Sequence, residues 1–340
     1  MRTMTKRMLA LLVALSLALA GCAGTTQSQP EPEPQEESAA RASVNVGGLY
    51  GPTGIALVGM ADSVRRGEAR HDYNVTFDAS PDIIQGKILS GELDIAALPT
   101  NLAALLHSRT EGEITMIALS RLSVLHIVWA PQGPGDVIGS FEDLRGKTLL
   151  TAGQGSTQEH VLGFLLEEAG LDPERDLNIV FAPEHAAVVA LMLDGQADVA
   201  LLPQPFVTTI AMQNPQFVPV LDISREWLSA TGGVELAMSC IVARTDFLER
   251  NPQAVRDFLE DFAASAQFAE DNLEAAAELV GEFGIIPEEV ARRAIPHSNI
   301  SSVTGLEMKT AAQAYLMVLY QRSPAAVGGA LPDESFFFIP

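Results

Sequence analysis

Two threonines stand where a folded chain can offer backbone N–H groups to an anion. Thr53 follows Gly51-Pro52 and Thr157 follows Gly155-Ser156, each between an apolar run predicted as a strand and one predicted as a helix. A glycine-containing turn, a small hydroxyl residue and then a helix leave the first N–H groups of that helix without intrahelical partners. Together the two helix ends suit a sulfonate, a carboxylate or a similar anion, at about 0.3–2 kcal/mol for each end. Both threonines read equally well as ordinary helix caps. Thr100, Asn101 and Gln204 stand just past two further predicted strand ends, and open α/β sheets collect ligands beyond the carboxyl ends of their strands. Glu184 and Glu235 pull the other way and leave room for an amine or a heterocycle.

Other chemistry is thinly represented. The histidines at 71, 107, 126, 160, 185 and 297 form no i,i+4 pair, and no zinc spacing is present. Cys240 sits in the apolar run 237–242 and reads as a buried, inert thiol. No nucleophile–base spacing is legible, so no catalytic residue is assigned.

The elements that must hold the candidate residues come in two copies. Residues 89–99, reading LSGELDIAALP, return as residues 193–203, LDGQADVALLP, at a spacing of 104. In each copy an apolar helix end stops near a glycine, Gly91 or Gly195, the residue type that accepts a left-handed conformation. A short apolar strand follows, 95–98 or 199–202, and apolarity on consecutive positions predicts a strand covered on both faces, as in a parallel sheet. Pro99 and Pro203 then end the strand. The same spacing pairs 74–77 with 178–181, Gly51-Pro52-Thr53 with Gly155-Ser156-Thr157, and Gly59 with Gly163. One βαβαβ unit is therefore predicted twice, over 45–100 and 149–204. Asp94 and Asp198 recur in register and read as local hydrogen-bonding groups at the strand starts.

Around the two units, strands are predicted at 114–118, 124–129, 218–221 and 236–243, the last carrying the chain back to the first unit. Asn251-Pro252 starts a long helix to about residue 283, as Asn caps and Pro opens helices. Further helices are predicted at 287–294 and 306–320, with an apolar tail, Phe336-Phe337-Phe338-Ile339, that docks.

Charge and composition exclude some partners. The chain carries a formal charge of −22, which becomes about −25 without residues 1–21 and their Arg2, Lys6 and Arg7. This argues against nucleic acid and against binding an anionic membrane by charge. A content of 47% hydrophobic residues supplies two cores. Arg2, Lys6 and Arg7 precede an uncharged run of thirteen residues, Met8 to Ala20; that is short of the roughly twenty needed to span a bilayer and reads as an export signal, 1–21. Residues 22–43, rich in Pro, Gln and Glu, lack apolar periodicity and read as a disordered tether.

Leu19-Ala20-Gly21-Cys22 resembles the bacterial lipoprotein box, in which the cysteine is acylated. Together with the duplicated stretch 88–99, Asp143-Leu144-Arg145-Gly146-Lys147, the turn 153–157 and Asn251-Pro252, it resembles the substrate-binding lipoproteins of ABC importers. More narrowly, it is similar to the nitrate, sulfonate, taurine and thiamine-precursor family of type II periplasmic binding proteins. That resemblance implies an α/β fold of two Rossmann-like lobes with a ligand cleft between them. Lobe one is expected at 44–133 plus 244–340 and lobe two at 136–235. It implies a monomeric, cofactor-free and metal-free binding protein that hands a small molecule to a membrane permease. A palmitate-type anchor on Cys22 would hold it at the outer face of the cytoplasmic membrane. By position, the ligand-binding residues implied are Tyr50, Thr53, Thr100 and Asn101 from lobe one, and Gln154, Ser156, Thr157, His185 and Gln204 from lobe two. Glu235 is a further candidate at the return crossing. The alternatives are an enzyme on the same fold, such as a menaquinone-pathway lyase or a pyrimidine synthase, and a ligand-sensor subunit. The cysteine-rich signature of the yeast pyrimidine synthases is missing here.

Overall fold

The computed structural model describes residues 41–340 apart from Leu122, Ser123, Gln132, Pro134 and Asn299. The export signal, Cys22 and most of the tether lie outside the described residues. From Ser43 the chain alternates strand and helix: β1 (Ser43–Leu49), α1 (Pro52–Arg65), β2 (Asp72–Asp78), α2 (Pro81–Leu89), β3 (Ile95–Pro99), α3 (Thr100–Arg109) and β4 (Ile114–Arg121). β1 pairs in parallel with both β2 and β3. Parallel neighbours need a crossover, and α1 and α2 supply it.

The chain then passes to a second sheet through β5 (Leu125–Trp129) and repeats the pattern. The elements are β6 (Thr148–Ala152), α4 (Thr157–Glu168), β7 (Asn178–Ala182), α5 (His185–Leu193), β8 (Val199–Pro203), α6 (Phe206–Gln213), β9 (Val218–Asp222) and α7 (Ile223–Ala230). The return strand β10 (Ser239–Arg244) leads to α8 (Thr245–Arg250), α9 (Pro252–Asp271), α10 (Leu273–Glu282), α11 (Glu288–Ala294), β11 (Ser301–Val303) and α12 (Gly305–Arg322).

The sheets run β11-β4-β10-β3-β1-β2 and β7-β6-β8-β5-β9. Read from β2 and from β7, they share one order, and in each the fourth strand is antiparallel to the third and arrives from the other half of the chain. This corrects the expected boundary. Leu125–Trp129, expected in lobe one, belongs to the second sheet, where it fills the place beside β8 that β10 fills beside β3. Both strands are apolar and buried, so each suits a central position covered on two faces.

The duplication holds with one slip. Asn45 lies opposite Asn74, whereas Thr148 lies opposite Asn178. The spacing is thus 103 between the first strands and 104 from the second strands onward, which places one extra residue between β6 and β7. Gly91 and Gly195 end their helices at φ 79° and 72°, the left-handed conformation expected of them.

One apolar core spans both sheets, joining Leu98 and Leu119 to Ile127, Leu149 and Leu201. α12 ties the lobes together: its Tyr315 meets Trp227 of α7 at 5.4 Å, and its Arg322 pairs with Glu167 of α4 at 2.7 Å. The long helix expected over 251–283 is two helices. Asn272 leaves helical geometry at φ −124°, ψ 56°, and its side-chain amide donates to Phe268 O at 3.2 Å, a local bond that competes with the helix ladder. The apolar tail docks as expected, with Phe336 and Phe337 buried and the Phe338 N–H on Met116 O at 2.9 Å.

Candidate ligand site

The carboxyl ends of the parallel strands in both sheets open onto one cavity of about 450 Å³, a volume suited to a small molecule. Its wall is built from the turns after β1, β2 and β3 on one side and after β6, β7 and β8 on the other. Much of that wall is apolar or conformationally fixed, with Leu49, Pro52, Pro99, Val124, Pro203 and Met238 among its residues.

Of the residues expected at the site, Tyr50, Thr53, Gln154, Ser156, Thr157 and His185 line this cavity. Thr100, Asn101 and Gln204 are buried and lie outside the lining, and Glu235 is exposed and also outside it. Neither threonine is a helix cap. Gly51 and Ser156 hold the cap positions, and the Ser156 hydroxyl accepts from Gln158 N–H at 3.3 Å. Thr53 donates to Leu49 O at 3.3 Å.

Thr157 faces across the lobes. Its hydroxyl donates to Asn101 Oδ1 at 2.8 Å, and the Asn101 amide donates to Gly155 O at 3.0 Å and Ala326 O at 3.3 Å. Asn101 therefore ties α3 to the turn before α4 at the base of the cleft. Gln204 serves its own helix, accepting from the Thr208 hydroxyl at 2.8 Å.

His185 has a defined tautomer. Gln158 Nε2 donates to Leu201 O at 3.4 Å, and a backbone carbonyl only accepts, so the other amide atom of Gln158 is its oxygen. That oxygen lies 3.0 Å from His185 Nε2, which must carry the proton. The ring stacks on Phe206 at 5.2 Å. The surrounding protein removes enough water to push its pKa down to about 4. At neutral pH the imidazole is uncharged and Nδ1 is a hydrogen-bond acceptor.

Strand-end reasoning applied to the turns after β1 and β6 found the lining there. It passed over Ser80 and Asp82 after β2, Phe181 near the end of β7 and Phe206 after β8, and it weighed Glu184 only for its charge, though all five line the cavity. The same rule applied to every predicted strand would have reached them.

A family model described as "ABC transporter, phosphonate, periplasmic substrate-binding protein" matches residues 70–279. No curated protein matches the chain. Among solved structures, an ABC transporter from Parabacteroides distasonis is 24% identical, covering 87% of this chain and 98% of that one with a TM-score of 0.71. The periplasmic aliphatic sulphonate binding protein SsuA from Escherichia coli is 15% identical, covering 88% and 92%, with a TM-score of 0.69. The periplasmic nitrate-binding protein NrtA from Synechocystis is 14% identical, covering 85% and 84%, with a TM-score of 0.62. These likenesses show a shared two-lobed α/β fold. Because the family match spans more than half of the chain, the chain belongs to the periplasmic substrate-binding proteins of ABC transporters, which capture a small molecule outside the cytoplasm for an importer in the membrane.

Proposed function

We propose that the chain is an exported lipoprotein, acylated at Cys22 and working as a monomer, that holds its ligand in the inter-lobe cavity between Tyr50 and Thr53 on one side and Gln154, Ser156 and His185 on the other. The observation that carries this reading is the single cavity built from the strand ends of both sheets, because a ligand touching both lobes favours the closed arrangement that a permease can recognise. Lobe one then comprises residues 41–121 with 239–340, and lobe two residues 125–230. The positive flank, the short apolar run and Leu19-Ala20-Gly21-Cys22 support the anchor, and a tether over 22–40, shorter than the 22–43 expected because Ser43 already opens β1, gives the lobes reach from the membrane. A binding rather than an enzymatic role is supported by the thiol of Cys240, buried and pushed up to about 12, and by the commitment of His185 Nε2 to Gln158.

The reading is tested by a thermal-shift panel of nitrate, sulfonates, thiamine pyrimidines, polyamines and short carboxylates. A ligand at about 100 times its Kd adds about 2.7 kcal/mol, which moves the midpoint by several degrees. A saturable shift is expected; a flat panel with ligand-stripped protein counts against the binding role. For the anchor, Cys22→Ser is expected to move the protein from the membrane fraction to the soluble one, and retention in the membrane fraction would remove the lipid from the account.

A further inference from the structure

The described lining of the cavity contains no Lys and no Arg. It does contain two carboxylates from opposite lobes, Asp82 in the first turn of α2 and Glu184 at the cap position of α5. Within the described residues neither carboxylate has an ion pair or a hydrogen bond. Lys87, the nearest cation in sequence to Asp82, is instead held by Asp78 at 3.0 Å and Glu92 at 3.7 Å.

The helix ends around the cavity do not make up for missing cations. Ser80 accepts from Asp82 N–H at 3.2 Å, and Ser156 accepts from Gln158 N–H at 3.3 Å, so α2 and α4 spend donors on their own caps. At α3 the Asn101 N–H goes to the Thr157 hydroxyl at 3.4 Å, and at α6 the Thr208 N–H goes to Gln204 at 3.3 Å. α5 carries the Glu184 carboxylate itself. α1 has no side-chain cap and begins with Pro52, which has no N–H to give, so the Thr53 and Gly54 N–H groups are what its end can offer. A dianion placed here would meet two unpaired carboxylates and few free donors.

Beside the Gln154 amide and the Tyr50 hydroxyl, which can donate, the cavity offers acceptors and apolar or aromatic faces. His185 Nδ1 accepts, Asp82 and Glu184 accept, and Tyr50, Phe181 and Phe206 add rings, which attract cations at their faces. We propose that the cavity takes a small organic cation, a protonated amine on an apolar body, with its ammonium shared between Asp82 and Glu184. This rests on the reading of the inter-lobe cavity as the ligand site. One carboxylate comes from each lobe, so the ammonium is attracted to both at once and thereby favours closure. The chain departs here from the phosphonate named in the description of its family.

The test is isothermal titration calorimetry on the detergent-solubilised full chain, with one apolar frame carrying three head groups in turn. Benzyl, butyl and cyclohexylmethyl frames are each presented as the amine, the alcohol and the phosphonate. On at least one frame the amine is expected to bind about tenfold or more tighter than the alcohol, with the phosphonate weakest. Asp82→Asn and Glu184→Gln are each expected to weaken the amine about tenfold without lowering the melting temperature. Amine affinity equal to that of the alcohol, or a phosphonate that binds best, overturns the cation proposal. If Gln154→Trp, a bulky residue at an exposed lining position, abolishes that phosphonate binding, the cavity remains the ligand site. Phosphonate binding that survives Gln154→Trp, or no binding on any frame, overturns both the proposal and the cavity reading.

Discussion

Gln158 decides what His185 presents to the cavity. Its amide is anchored on Leu201 O and Thr151, so it can only accept from His185, and the ring stays neutral with Nδ1 available. The depressed pKa has a consequence for stability. The unfolded chain takes up a proton near the ordinary value of 6.5, whereas the folded ring does so near 4. Stability is therefore full above pH 6.5 and declines as the pH falls toward 4, by at most about 3 kcal/mol from this group. Urea denaturation between pH 7 and pH 4.5 should show that decline, and His185→Gln should make it shallower; an identical slope would contradict the assignment. Asn101→Ala removes buried bonds to Gly155, Thr157 and Ala326 and is expected to cost about 2–4 kcal/mol in the same measurement. The orientation of Thr157 was not legible in the sequence for the same reason. Local pattern places it at a helix start, but Asn101, far away in sequence, decides where its hydroxyl points.

Among the elements, α1 enters the site through a close approach. A Cβ on Gly54 would lie 2.7 Å from Leu49 O and 3.5 Å from Ile285 Cδ1. The first contact is backbone and cannot swing away, so Gly54→Ala must push α1 from the end of β1. We expect a loss of about 1–3 kcal/mol by thermal or urea denaturation, with weaker ligand binding because Tyr50 and Thr53 flank the shifted turn. Stability equal to wild type would show that the turn yields freely. The existence and order of the duplicated strands and helices were legible, because consecutive apolar residues and helix-ending glycines recur at a fixed spacing. The sheet membership of β5 was not. Its composition suits either sheet, and only pairing with β8 and β9 settles the matter. The break at Asn272 was equally hidden, since the apolar stripe continues across it and the competing bond to Phe268 is a single local contact.

For the whole molecule, two sheets of the same strand order face one cavity with the carboxyl ends of their parallel strands, and two chain crossings join them. α12 packs against α7 through Tyr315 and Trp227 and against α4 through the Arg322–Glu167 pair. The family assignment and the cavity agree on capture of a small molecule, and the charges of the lining narrow the kind of molecule. Capture by this route requires that the ligand bind in that cavity. Calorimetric titration of the strongest thermal-shift ligand into wild type and Gln154→Trp tests this directly. One molecule bound per wild-type chain, and loss of binding in an equally stable variant, is the predicted result. Equal affinity in both proteins would contradict the account, because it would place the ligand outside the cavity between the lobes.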